Sequence, residues 1–197
     1  MGMGAGVEDA LIRRGLRLEY VTLGWNVVGA VVVLAAAWRS RSVALAGFGL
    51  DSLIEIFASV VVVWQLRNIG HEREGTALRL IGGAFFALAL YVAAQSTYTL
   101  ITRSHPERSP LGMAWLAATL AAMLLLAWGK LVTGRQLGNA VLLTEARVTL
   151  VNALLAGAVL AGLALNALFG WWWADPLAAL VIVYYGIKEG RQAWGGG

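Results

Sequence analysis

The 197-residue sequence contains no cysteine and only two histidines, His71 and His105. Without cysteine, disulfides and thiolate metal sites are excluded. Charged residues are also scarce, at 13% of the chain, whereas an ordinary soluble domain carries about 25%. The sequence has no glycine-rich phosphate loop, Ser-His-Asp set or zinc-protease helix motif. We therefore predict that the protein is not an enzyme.

Hydrophobic residues make up 59% of the sequence and are concentrated in long runs. Apolar runs of about 20 residues are typical of transmembrane helices and are far longer than the ~10 residues of a transmembrane strand. We therefore predict an all-α, polytopic membrane protein with six transmembrane helices. The predicted spans are 20–38, 43–66, 78–101, 112–133, 140–169 and 171–187.

The segment before the first span, residues 1–18, carries too many charges for the apolar core of a signal peptide. We interpret it as a cytoplasmic amphipathic helix, followed by a transmembrane domain over 19–190 and a short cytoplasmic tail over 191–197. Most Lys and Arg residues outside the spans lie on the side of both termini, which predicts cytoplasmic termini. We expect the plasma (inner) membrane. The net charge of +4 is scattered over the loops and does not indicate nucleic-acid binding.

Two acidic residues, Asp51 and Glu55, lie inside the second predicted span. They are one helical turn apart, so they share a face, and both lie near the middle of the membrane, ~12 and ~18 Å below the outer end of the helix. A carboxylate at this depth costs at least ~2.5 kcal/mol and needs a partner, of which a cation is the simplest. The alternative is that both groups are neutral and hydrogen-bond between helices.

A second polar stripe is formed by Glu145, Thr149 and Asn152 in the fifth span, with Asn152 at the depth of the acidic pair. Asn26 is a single amide in the first span, within reach of the same site. Both amides have an alternative role as interhelical hydrogen-bond groups. Glu145 either lies on an ion path or pairs with a nearby cation. Three cations are candidates for that pairing: Arg147, Lys130 and Arg135.

These features resemble the cation diffusion facilitators, a family of membrane metal transporters. The resemblance rests on six spans, Asn26, the stretch SVALAGFGLDSLIE over 42–55, and Ala-Asp-Pro at 174–176. It covers nearly the whole chain. The family's second span carries an (H/D)xxxD ligand pair, which falls on Asp51 and Glu55.

The fifth span departs from the family pattern A-D-x-x-H-x-x-x-D. Laid on residues 144–152, the pattern places Glu145 at the leading acid, Val148 at the ligand histidine and Asn152 at the ligand aspartate. A register shifted by one residue places Thr149 at the histidine position instead. An isopropyl group cannot bind a metal, and an amide oxygen is a weaker donor than a carboxylate, so half of the family's tetrahedral site is altered.

The resemblance implies a divalent metal cation transporter, working by efflux and proton antiport across the lipid bilayer. Asp51 and Glu55 would be the metal ligands, Asn152 would complete the shell with water, and Glu145 would guide ions from the cytoplasm. Metal and protons compete for carboxylate oxygens, which implies the proton coupling. No cofactor is expected to be permanently bound. The transported ion is zinc, by family, or manganese or iron, because the ligands are all oxygen.

The family usually carries a soluble cytoplasmic domain after the sixth helix, and we expect this chain to lack it. A homodimer, if formed, would then rely on the transmembrane helices. Because the fifth span is altered, a second hypothesis is a non-transporting membrane protein of the same fold. Its degenerate metal site would serve structure, sensing or assembly. A third is a proton- or sodium-coupled carrier of something other than a metal.

Overall fold

The protein is an all-helical bundle, as seen in a computed structural model that describes residues 5–67, 72–138 and 140–195. Side chains within 58–78 and at 5, 8, 140–141, 144–145 and 195 are outside the description. The described residues form six helices and no strand, which confirms the predicted fold class. The helices are α1 Ala5–Ser40, α2 Val43–Arg67, α3 Glu72–Thr102, α4 Pro110–Leu137, α5 Ala140–Phe169 and α6 Ala174–Gly195.

The bundle is built for a membrane. Among the described residues, four stretches are long and apolar enough to cross a bilayer: Asp9–Ser40, Arg79–Thr102, Pro110–Leu137 and Ala146–Phe169. Large apolar side chains such as Val31, Leu90 and Leu125 point outward, while several polar side chains, Ser96 and Thr133 among them, are buried. A helical bundle in lipid needs an apolar exterior around a more polar interior. Its backbone N–H and C=O groups form hydrogen bonds within each helix.

The first helix is longer than the first predicted span. Segment 1–18 is predicted to be an amphipathic lead-in helix, and α1 runs without interruption from Ala5 through this segment to Ser40. No proline lies between these residues, so no backbone N–H is lost along the helix. The residues before the membrane span therefore continue the same helix, so Glu19 and Asn26 lie on one element.

The start of α2 is fixed by a side chain from α6. Asp175 is fully buried and accepts hydrogen bonds from the Ser42 hydroxyl, the Val43 amide at 3.0 Å and the Ala44 amide at 3.4 Å. The first amides of a helix have no partner within the helix, and the helix dipole favours a negative charge there. Asp175 thus fixes the depth of α2, and with it the depth of Asp51.

Close approaches between helices occur at glycines. A Cβ added at Gly162 of α5 would lie 2.6 Å from the Ala178 Cβ and 2.9 Å from the Ala174 carbonyl of α6. On α6, a Cβ added at Gly186 would lie 3.2 Å from the Phe85 carbonyl of α3, and one added at Gly190 would lie 3.2 Å from the Gly82 carbonyl. Small residues allow helices to approach closely in membranes. α6 is thereby held between α3 and α5, with its final turns beside the polar interior.

Candidate metal site in the helix bundle

The acidic pair of α2 lies where three helices meet. Glu55 Oε2 accepts a hydrogen bond from Asn26 Nδ2 of α1 at 3.1 Å and another from Asn152 Nδ2 of α5 at 2.9 Å. Asn152 therefore lies at the depth of Glu55, and Asn26 reaches the same carboxylate. Two amides from different helices thus converge on one oxygen of the central acid.

These amides suit a site that holds either a hydrogen bond or a cation. An asparagine side chain offers two N–H donors on one end and a carbonyl oxygen on the other. With the N–H groups turned inward, as here, Asn26 and Asn152 stabilise the carboxylate of Glu55. With the amides turned over, their oxygens would face the same point and contribute to a cation's shell.

Asp51 has a different environment. Its side chain is only 8% exposed, and it makes no hydrogen bond or ion pair within the described part of the chain. It nevertheless faces a cavity, one turn of α2 away from Glu55. A buried carboxylate without a partner is unfavourable, so this oxygen pair is available for a ligand.

A cavity of about 610 Å³ reaches this site from the side of the bundle that carries the start of α1 and the end of α6, which we call the terminal side. Its polar lining includes both acids and both amides of the site. Seven further polar or charged residues line it: Glu19, Thr22, Arg147, Thr149, Lys188, Glu189 and Gln192. Water and ions therefore have access to Asp51 and Glu55 from the terminal side.

The space found on the opposite side of the site is small. A pocket of only about 10 Å³, room for about one water, adjoins Asn26 and Asn152 there. The rings of Trp25 and Trp115 stack beside it at 5.1 Å, and the Trp25 indole donates to the Thr119 hydroxyl at 3.0 Å. Asn26 and Asn152 border both spaces, so they lie between the large cavity and the small pocket.

The fifth helix presents a reduced ligand set to the cavity. Val148, at the position of the family's histidine, is 46% exposed and lines the cavity. Thr149, the alternative from the shifted register, is buried, and its hydroxyl accepts a hydrogen bond from Lys130 at 3.1 Å. The side chain of Glu145, the predicted guide for ions, lies outside the described residues, so its role stays a prediction.

A buried ion pair was missed at the sequence level. Lys130 Nζ of α4 lies 2.9 Å from Glu19 Oε2 of α1, with the lysine completely buried. From the sequence, Lys130 is one of three candidate partners for Glu145, and a pairing with Glu19 is not predicted. Two features of the sequence could have indicated the pair. Glu19 is a single acid at the start of the first span, and Lys130 is a single cation near the end of the fourth span, on the same side of the membrane.

Among the described residues, no three acidic or histidine side chains converge closely enough to hold a metal ion by themselves. A cation at this site would bind two carboxylates, with amide oxygens and water completing its shell. A helical membrane bundle with a buried acidic site that a cavity reaches from the terminal side has the architecture of a membrane carrier.

The particular family follows from comparison with known proteins. The model of the cation efflux transmembrane domain matches residues 20–193, and the chain belongs to this family. Members of the family are transporters and not enzymes, in agreement with the prediction from the sequence.

Three curated relatives are similar over most of the chain. Transmembrane protein 163 of Xenopus laevis is 23% identical over 189 residues, 89% of this chain and 66% of that protein. An uncharacterized transporter of Synechocystis sp. is 25% identical over 158 residues, 75% of this chain and 51% of the relative. A cadmium, cobalt and zinc/H(+)-K(+) antiporter of Bacillus subtilis is 28% identical over 205 residues, 95% of this chain and 63% of that antiporter. The chain thus spans between half and two-thirds of the length of these relatives.

Proposed function

We propose that this protein transports a divalent metal cation across the membrane in exchange for protons, with Asp51 and Glu55 as the essential ligands. The observation that supports this most directly is the position of the pair. Asp51 is buried without a partner at the inner end of a cavity of about 610 Å³, and Glu55 is held by two amides beside it. The membership of a cation efflux family supports the same function.

The contacts suggest how the site exchanges its ligand. Of the two carboxylates, a cation that enters from the terminal side reaches Glu55 first, displaces its amide N–H groups, and meets Asp51 one turn of α2 further in. Asn26 and Asn152 then turn their carbonyl oxygens to the ion. Protons compete with metal for the two carboxylates, because only the ionised groups bind the ion. In the proposed cycle, release on the opposite side requires Trp25 and Trp115 to separate.

The chemical nature of the ion follows from the ligands in part. Carboxylate and amide oxygens favour harder ions such as manganese or iron(II) over zinc. The Bacillus subtilis relative is named for cadmium, cobalt and zinc, which argues for softer ions. We therefore propose a divalent transition metal as the class of substrate. Efflux from the cytoplasm, a plasma-membrane location and a homodimer through the membrane helices remain predictions.

The test is metal uptake into sealed proteoliposomes that contain a pH-sensitive dye, with zinc, manganese, iron(II), cobalt and cadmium supplied in turn. The variant Asp51→Asn/Glu55→Gln removes both charges from the site. Asp9→Asn/Glu107→Gln removes the same two charge types from exposed positions and serves as the matched control. We expect metal flux with opposing proton movement in the unaltered protein and in the control, and its loss in the site variant.

An alternative function has support from the same site. Glu55 already has two amide partners, and α5 presents Val148 and Asn152 where the family has metal ligands. A protein of this kind could keep the fold and use the site for structure, sensing or assembly. Folded protein that moves none of the five metals, with the site variant changing only stability or assembly, would support this alternative and contradict transport.

A further inference from the structure

The ion pair of Glu19 and Lys130 lies in the wall of the cavity. Glu19 and Thr149 both line the cavity, and the ammonium of Lys130 lies 2.9 Å from Glu19 Oε2 and 3.1 Å from Thr149 Oγ1. The lysine itself is completely buried. Ionised side chains within a membrane bundle are unfavourable, and they commonly line the paths of ions. The pair is thus placed beside the route of an entering ion and outside the central site.

Glu19 lies on the cavity face of α1, on the terminal side of the central site. Thr22 and Asn26 line the cavity from the same face of this helix, three and seven positions further along. Seven residues of helix span about 10 Å, so Glu19 lies roughly two turns before the amide that donates to Glu55. A cation that enters from the terminal side therefore reaches the depth of Glu19 before that of Glu55.

The two oxygens of the Glu19 carboxylate have different environments. Oε2 contacts the ammonium of Lys130, whereas Oε1 is buried and has no hydrogen-bond partner in the part of the chain that the structure describes. A buried polar atom without a partner is unfavourable. Binding of Oε1 to a cation therefore breaks no hydrogen bond of the protein, and Oε2 can stay with Lys130.

We propose that Glu19 is the entry ligand for the transported cation and that Lys130 keeps this contact transient. This role rests on the proposed transport function. The ion binds one carboxylate oxygen and retains most of its water, which suits a hard or borderline divalent metal. The ammonium beside the carboxylate repels the ion, so the contact is weak and the ion moves on to the central pair.

Lys130 also balances the charge of the entry. With the ammonium in place, Glu19 and Lys130 together carry no net charge, so the cavity wall does not compete with Asp51 and Glu55 for a divalent ion. Without the ammonium, Glu19 would be an uncompensated carboxylate at the entry. It would bind the cation more tightly and release it more slowly.

The experiment compares three variants with the unaltered full chain. Lys130→Met removes the ammonium, Glu19→Gln/Lys130→Met removes both charges, and Glu19→Asp/Lys130→Met keeps the carboxylate on a shorter side chain. None of them leaves a buried ammonium without its carboxylate. Glu107→Gln, at an exposed position on the opposite side of the bundle, is the control. Binding of manganese and of zinc is measured by calorimetry in detergent, and metal uptake is measured in proteoliposomes.

We expect Lys130→Met to bind metal about tenfold more tightly than the unaltered protein, because the repelling charge beside Glu19 is gone. Its maximal uptake rate falls at least about threefold, since the ion leaves the entry more slowly. Glu19→Gln/Lys130→Met loses the gain in affinity. Glu19→Asp/Lys130→Met lies between these two, because the shorter side chain withdraws a direct ligand, and Glu107→Gln matches the unaltered protein.

Equal metal affinity of Lys130→Met and Glu19→Gln/Lys130→Met would overturn the proposal, because the carboxylate would then have no part in binding. Equal affinity of Lys130→Met and Glu19→Asp/Lys130→Met would also overturn it, since charge without contact would explain the gain. Failure of the transport function looks different: the unaltered protein moves no metal. The order of the measured affinities alone then decides whether Glu19 binds a cation.

Discussion

The ion pair between Glu19 and Lys130 allows a prediction about the free energy of unfolding, because its two partners are not equally buried. The two charges are 2.9 Å apart, but the lysine side chain is 0% exposed and the glutamate side chain 36% exposed. Lys130 also donates to the Thr149 hydroxyl at 3.1 Å. Neutralising Glu19 therefore leaves a fully buried charge, whereas neutralising Lys130 leaves a charge that is partly exposed.

Glu19→Gln leaves a fully buried ammonium that keeps its contact with the Thr149 hydroxyl but has a neutral amide in place of its carboxylate partner at position 19. Breaking a buried ion pair in this way costs about 3–5 kcal/mol, and we expect about 3 kcal/mol because these hydrogen bonds persist. Lys130→Met leaves the carboxylate of Glu19, whose side chain is 36% exposed and borders the cavity, and replaces the buried ammonium by an unbranched apolar side chain. We expect about 1 kcal/mol for this change.

The assay is equilibrium unfolding of the purified protein in mixed micelles of increasing sodium dodecyl sulfate content, followed by circular dichroism. The double variant Glu19→Gln/Lys130→Met should be more stable than Glu19→Gln alone, because the buried ammonium at position 130 is also removed. Glu107→Gln, which is exposed, should stay within about 0.5 kcal/mol of the unaltered protein. If Lys130→Met costs as much as Glu19→Gln or more, the argument from burial is wrong.

Two further predictions concern helix packing. Asp175→Ala removes the acceptor of two α2 amides and the Ser42 hydroxyl, and should lower the free energy of unfolding by about 2–4 kcal/mol, measured by the same titration. A loss below about 0.5 kcal/mol would show that the α2 amides find other partners. Gly162→Val should cost about 1–3 kcal/mol, because its Cβ would overlap Ala178, and an unchanged thermal midpoint would contradict the close packing of α5 on α6.

Much of the fold was predictable because lipid imposes a simple rule. Each helix needs about 20 apolar residues, so hydropathy alone indicates the all-α class and, among the described residues, four of the six predicted spans. The junction at residue 18 was not predictable in this way, because a change from polar to apolar composition marks the membrane surface and not the end of a helix. α1 continues through it. The cap formed by Asp175 on α2 joins residues 132 positions apart and has no local signal.

The site was predictable to the extent that charge is rare in a membrane. Asp51 and Glu55 are conspicuous in an apolar run, and the estimated depth of Asn152 agrees with its hydrogen bond to Glu55. The pairing of Lys130 with Glu19 was missed because Lys130 lies near a helix end, where lysines are ordinary surface residues. Only the packing of α1 against α4 buries this lysine and places it beside Glu19.

The altered fifth helix has a consequence for the charge that crosses the membrane. With Asn152 neutral, the central site holds two carboxylates, which balance one divalent cation, and two protons balance the same carboxylates on the return. The loaded and the protonated sites are then both neutral, which avoids the cost of moving net charge through the bilayer. We expect metal–proton exchange in proteoliposomes to be insensitive to an imposed potassium–valinomycin potential. Asn152→Asp adds a third carboxylate beside Glu55, so its exchange should become sensitive to the potential. A potential-dependent rate in the unaltered protein would refute the two-carboxylate balance.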